Sequence, residues 1–172
     1  MTGQYTLGQR EQAVSRRIEG FDVDRPALDA ISSLYRAAGA VRNHFERTVL
    51  ADQGLTWTAW VVLWVVWVWE DIETRHAAAA AGISKSTLSG VVNTLQARAL
   101  VTRRPYPADG RRVLLQLTPK AKRLMSELFP RFNASEAATL ATLTPQEQEI
   151  LTRALRKVVS HVEEIEGTTP PA

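Results

Sequence analysis

From Leu28 onward, apolar residues recur every three or four positions. Leu28, Ile31, Leu34, Ala38, Val41, Phe45 and Val49 make one stripe, which predicts a helix of about six turns. Asp24 stands before it as N-cap, and Pro26 falls in the first turn, where a missing N–H costs little. A stripe that long on so small a protein usually meets another helix. Gly54 ends the segment. Thr56 caps the next helix, with Leu55 and Trp60 at the two positions of a hydrophobic staple. Beyond Thr56 the polar face disappears. Trp57, Trp60, Trp64 and Trp67 fall on one side while Val62, Val66 and Trp69 cover the rest, which predicts a helix buried all round.

Glu70-Asp71 interrupts that run, and residues 74–120 follow a different plan. A short Ala-rich helix leads to a Gly82-Ile83-Ser84 turn, and a second amphipathic helix starts near Lys85. Residues 100–103 and 113–117 then read as paired strands, with Val113, Leu115 and Leu117 on one face. Asp109-Gly110 forms the turn, and Pro105 and Pro107 hold the approach extended. Thr118 caps a further helix with Pro119 at its first position, and Pro130 is expected to kink or end it. Thr144 and Glu147 fit a capping box, after which Ile150, Leu151, Leu155, Val158, Val159 and Val162 line the last helix. The predicted class is mainly α with a small β-hairpin wing: a winged helix-turn-helix between N- and C-terminal helices. Residues 1–23 read as a flexible arm or short extra helix, 24–166 as the domain, and 167–172 as a disordered tail. Within the domain, residues 55–118 form the winged module.

Composition narrows the possible functions. The 172 residues suffice for one domain with an extension, and 45% hydrophobic with 23% charged residues is an ordinary globular balance. A net charge of +3 decides nothing, but its distribution does. Residues 98–123 carry eight basic side chains against Asp109 alone, whereas residues 136–166 carry six acids and three bases. Positive charge gathered on one module is the footprint of a polyanion partner. Without cysteine, disulfides and thiolate metal sites are excluded. His44, His76 and His161 lie too far apart to suggest a metal site, so no metal or cofactor is expected. Ser84, Ser86 and Ser89 lack a nucleophile elbow, so the chain does not read as an enzyme. The apolar run of 13 residues over 57–69 would rise roughly 20 Å, short of a ~30 Å bilayer core. With no signal-peptide pattern either, the expected location is cytoplasmic.

On the helix after Ser84, Leu88, Val91, Val92 and Leu95 occupy one side, and Ser86, Ser89, Gly90, Asn93 and Ala97 the other. That outer face carries small hydroxyls, an amide and a glycine, where a solvated helix usually carries Glu and Lys. Gly90 at mid-helix costs about 1 kcal/mol relative to alanine, which close approach of another surface would explain. Ser and Thr hydroxyls bond phosphates or base edges, and Asn pairs bidentately with adenine. Ser86, Thr87, Ser89 and Asn93 are therefore the expected major-groove contacts. Arg111, raised on a narrow turn, suits a minor groove. Lys85, Arg103 and Arg112 are the expected phosphate contacts.

Here the sequence resembles the MarR family of transcriptional regulators, over residues 28–164. The most specific element is Asp109-x-Arg111 followed by Val113-x-Leu115-x-Leu117-Thr118-Pro119-x-Ala121. Next come Ile83-Ser84-Lys85-Ser86-Thr87-Leu88-Ser89, leading to Leu95, Leu100-Val101 and Arg103, and then Gly54-Leu55-Thr56. The resemblance implies a homodimer whose first and last helices (residues 24–53 and 119–166) intertwine. Its two winged modules would read a near-palindromic operator in double-stranded DNA. It also implies a repressor relieved by a small aromatic or phenolic ligand. Trp60, Trp64 and His44 are the candidates for that ligand, although tryptophans at helical spacing equally serve as core. Two positions depart from the family: Ala99 where glycine is common, and Gly90 where a long polar or basic side chain is common. The competing reading is a helical protein-interaction module that uses its Trp-rich helix, with DNA binding vestigial.

Overall fold

The computed structural model describes residues 6–106 and 109–168, except the side chains of 109–111 and 168. The chain divides into two units, residues 1–40 and 41–172.

The first unit holds helix α1 (Leu7–Arg17) and most of α2 (Arg25–Phe45). Thr6 and Gln9 form a reciprocal capping box at the start of α1, so the N-terminal segment contains the short extra helix. Asp24 Oδ1 accepts the Ala27 N–H at 2.9 Å and caps α2 as expected. Glu11 of α1 pairs with Arg36 of α2 at 3.5 Å, and Arg25 donates to Ser15 Oγ at 3.1 Å. None of the described residues in this unit is buried, and Ile31 and Tyr35 are exposed on α2.

The second unit contains the core. The α-helix predicted to run on past Val49 ends at Phe45. The chain widens into a π-turn (Glu46–Leu50) and closes with a 3-10 turn (Ala51–Gln53). Two local bonds accompany the change. Thr48 Oγ1 bonds back to the His44 carbonyl at 2.8 Å, and Glu46 Oε1 accepts the Trp57 N–H at 2.6 Å at the start of the next helix. Gly54 then turns the chain at φ 55°.

Helix α3 (Trp57–Trp69) is capped by Thr56 Oγ1, which accepts the Ala59 N–H at 3.2 Å. Trp60, Val62, Leu63, Val65 and Val66 are buried. The helix is not buried all round: Val68 and Trp69 are 51% and 67% exposed. The core ends before the last turn of α3, and a helical wheel carries no information about where along its axis a helix leaves the core. Glu70 turns the chain out at φ 46°, into strand β1 (Ile72–Glu73), helix α4 (Thr74–Ala80) and helix α5 (Lys85–Ala97).

Strands β2 (Val101–Tyr106) and β3 (Asp109–Leu117) form the wing. Both outrun their sequence prediction, and β1 adds an unpredicted third strand in the order β1-β3-β2. At two residues, β1 is too short to show a period; its pairing of Ile72 with Leu115 exists only in three dimensions. Pro105 is tolerated inside β2 because that strand is an edge, and an irregularity follows it between Pro105 and Tyr106.

Helix α6 (Pro119–Thr139) starts on the Thr118 cap and runs through Pro130 rather than ending there. Buried Met125, Leu128 and Phe132 lie on both sides of that proline, and their packing holds the helix together across it. The Thr144–Glu147 capping box opens helix α7 (Pro145–Thr168), which includes Gly167 and Thr168 from the expected tail. Among the described residues no single helix is long and apolar enough to cross a membrane.

Candidate nucleic-acid interface

Helices α4 and α5 are joined by a glycine turn followed by a serine cap. After α4, Gly82 stands at φ 62°, the Ile83 N–H bonds to the Ala78 carbonyl and the Gly82 N–H to that of Ala79. This Schellman ending closes one helix and aims the next. Ser84 then acts as a hub. Its Oγ accepts the Thr87 N–H at 3.1 Å and lies 2.9 Å from Ser86 Oγ and 2.8 Å from Thr87 Oγ1. The hydroxyls at the start of α5 are thus tied together around the helix N-terminus.

Leu88, Val92 and Leu95 fix the inner face of α5 in the core. Lys85, Ser86, Thr87, Ser89, Gly90 and Asn93 are all exposed on the outer side. Among the described residues, nothing beyond its chain neighbours and the nearby backbone of α5 lies within 4 Å of a Cβ built on Gly90. Internal packing therefore does not require a glycine there.

Arg103 reaches from β2 to α5. Its Nη1 donates to Asn93 Oδ1 at 2.8 Å and also bonds to Gln96 Oε1. Asn93 and Arg103, read separately in the sequence, form one group. The Asn93 carbonyl keeps a second lone pair and both N–H donors for a further partner. A hollow of about 400 Å³ between α5 and the wing is lined by Arg75, Lys85, Ser89 and Arg103 among others. Arg75 was missed by sequence reasoning: only the fold brings it beside Lys85.

A second wing arginine, Arg112, is engaged within the protein. Arg112 forms an ion pair with Glu73 of β1, which also pairs with Arg75 at 3.2 Å. The Arg112 guanidinium lies 4.4 Å from the centroid of the Tyr106 ring, a cation–π contact. A phosphate contact by Arg112 would have to compete with these partners. Arg98, part of the basic excess, is also engaged internally, donating to the Gly54 carbonyl at 2.8 Å and to that of Gln53 at 2.5 Å. The Arg111 backbone belongs to β3, but its side chain and that of Asp109 lie outside the described residues.

The end of α5 resolves the first family departure. Ala99 stands at φ 54°, with its N–H on the Gln96 carbonyl and the Leu100 N–H on that of Leu95. This is a second Schellman ending, built here on alanine. Thr118 Oγ1 donates to the Ala99 carbonyl at 2.8 Å and Lys120 Nζ to that of Arg98 at 3.0 Å.

A second concavity, of about 270 Å³, lies between α3 and α6 and is lined by Trp57, Trp60, Trp64, Phe129, Phe132 and Glu136 among others. Trp60 stacks on Phe132 at 4.4 Å, and Trp64 lies 5.0 Å from Phe129. Of the three ligand candidates, the fold brings Trp60 and Trp64 together. His44 is exposed and does not line this cleft. Among the described residues no group of His, Asp and Glu is arranged to hold a metal ion.

The family model for the MarR family matches residues 53–112, from the turn before α3 to the wing. The HTH-type transcriptional regulator YwaE of Bacillus subtilis is 35% identical over 159 residues, covering 91% of this chain and 93% of its own length. Among solved structures, BpsR of Bordetella bronchiseptica superposes with a TM-score of 0.68 at 28% identity, covering 76% of this chain and 98% of that one. PcaV of Streptomyces coelicolor follows with a TM-score of 0.62 at 26% identity, covering 77% and 97%. With its helix-turn-helix, wing and bare outer helix face, the chain belongs to the MarR family of DNA-binding transcriptional regulators.

Proposed function

We propose that this protein is a homodimeric, sequence-specific repressor that reads a near-palindromic operator and is relieved by a small aromatic ligand. The observation that carries the DNA-reading part is the outer face of α5: every expected contact on it is exposed, and the Ser86 and Thr87 hydroxyls are tied to the Ser84 cap. Ser86, Thr87, Ser89 and Asn93 face the major groove. Arg111 enters the minor groove, and Lys85, Arg103 and, once released from Glu73, Arg112 meet phosphates. Arg75 joins them at the hollow beside Lys85.

Dimerisation is supported by apolar faces that stand exposed among the described residues. On α7, Ile150, Leu151, Leu155, Val158, Val159 and Val162 are all at least 36% exposed. A contiguous apolar stripe of this length marks an interaction surface. The ligand is supported by the aromatic cleft with Trp60 and Trp64, and by two relatives. The DNA binding of BpsR is regulated by 6-hydroxynicotinic acid, and PcaV has a structure in complex with its natural ligand.

The test is selection of bound fragments from genomic DNA, followed by gel retardation of the selected site across salt concentrations. Arg111→Ala is expected to weaken operator binding and to flatten the dependence of log affinity on log salt by about one charge per wing, about two per dimer. Unchanged affinity at every salt concentration would remove the wing from the interface.

A further inference from the structure

The cleft between α3 and α6 has a distinctive chemical make-up. Its walls are aromatic: three indoles, from Trp57, Trp60 and Trp64, and two phenyl rings, from Phe129 and Phe132. Among the described residues Glu136 is the single charged one in its lining, with no Lys, Arg or His beside it. Phe129, Phe132 and Glu136 follow one another at three- and four-residue steps on α6, so one helix face carries both the rings and the acid. Glu136 is half-buried, and its Oε2 accepts from Asn133 Nδ2 at 2.9 Å, leaving Oε1 for another donor.

Ring faces carry negative quadrupole potential and attract cations, indole most strongly. They offer nothing to a carboxylate or phenolate, and Glu136 repels both. An apolar cavity of about 150 Å³ suffices for benzene, so about 270 Å³ admits one ring bearing a small charged head. We propose that this cleft is a binding site for a single-ring aromatic cation, an arylalkyl ammonium or its like, with Glu136 as counter-ion. The ring stacks among the indoles and the ammonium donates to the Glu136 carboxylate. The regulatory consequence, though not the binding, rests on the ligand-relieved reading above.

The experiment titrates the full-length protein with three soluble probes of equal size and different charge: benzylammonium, benzyl alcohol and benzoate. Binding is followed at neutral pH by calorimetry and by tryptophan fluorescence. Benzylammonium is expected to bind about tenfold or more tightly than benzoate. Glu136→Gln, which keeps the Asn133 hydrogen bond, should abolish most of that preference while leaving benzyl alcohol binding unchanged. Trp64→Leu, checked for helicity by circular dichroism, should weaken benzylammonium and benzyl alcohol alike. Benzoate binding as tightly as benzylammonium overturns the proposal. So does an undiminished preference in Glu136→Gln, or no binding of any probe, as when a second copy of the chain fills the cleft. Retardation of operator DNA in the same solutions separates the two readings. Benzylammonium that binds without releasing DNA removes the ligand-relief reading and leaves the site. Benzoate that releases DNA while benzylammonium fails to bind does the reverse.

Discussion

Ala99 and Gly90 are two residues whose local cost is visible and whose benefit lies elsewhere. Ala99 holds φ 54° because the Leu95 and Leu100 side chains, both buried, pin the chain on either side of it. A Cβ in the left-handed region crowds the neighbouring carbonyl by roughly 1–2 kcal/mol, against which glycine's extra unfolded-state freedom must be set. Ala99→Gly is therefore expected to raise stability by about 0.5–1 kcal/mol, read as a higher urea midpoint at unchanged slope. Gly90 has the opposite balance. Among the described residues a methyl group there meets nothing within 4 Å beyond its own stretch of helix, so Gly90→Ala should stabilise α5 by about 1 kcal/mol. If DNA approaches this face closely, the same substitution lowers operator affinity in gel retardation while raising the unfolding midpoint. A gain in both would remove close approach as the reason for the glycine.

At the scale of elements, the termini of the helices are built from side chains a few residues apart, and one of them makes a titratable contact. Glu147 Oε2 accepts the Thr144 N–H at 2.7 Å and the Thr144 hydroxyl at 2.8 Å. The backbone bond first, and the hydroxyl second, hold its carboxyl below the usual carboxylate range. A carboxyl depressed in the folded state contributes in full above its unfolded pKa and loses that contribution as pH falls through the folded one. Hydrogen exchange in the first turn of α7 should therefore quicken, relative to intrinsic rates, as acid protonates Glu147 in that range. Glu147→Gln should lose this acid dependence. Side chains also link the wing: Glu73 ties β1 to Arg112 on β3 by an ion pair, and Arg103 ties β2 to α5 by hydrogen bonds.

At the scale of the molecule, α2 and α7 each present an exposed apolar face. Ile31 and Tyr35 are exposed on α2, and Leu155 and Val159 are 36% and 56% exposed on α7. A second copy related by a two-fold axis satisfies both partners with one surface. Leu155→Asp combined with Val159→Asp should convert a dimer into monomers in sedimentation velocity. Operator affinity should fall steeply with it, because one winged module then binds alone. A double variant that still sediments as a dimer removes this stripe from the seam.

Most elements whose signal is local were legible in the sequence. The Asp24, Thr56, Thr118 and Thr144 caps fall where the sequence puts them, because a capping side chain answers a backbone group two or three residues away. The stripes of α2, α5 and α7 and the alternation in β3 follow from chain geometry alone. Contacts distant in sequence, by contrast, were decided by the tertiary structure. Strand β1 exists because Ile72 meets Leu115; Arg98 and Arg112 leave the pool of free positive charge because Gly54 and Glu73 stand beside them. Trp60 and Trp64 line a cleft, and His44 does not, because α6 brings Phe129, Phe132 and Glu136 across from α3. A sequence lists charges and rings. Which of them face each other, and which remain for a partner, depends on packing between segments that no short-range pattern encodes.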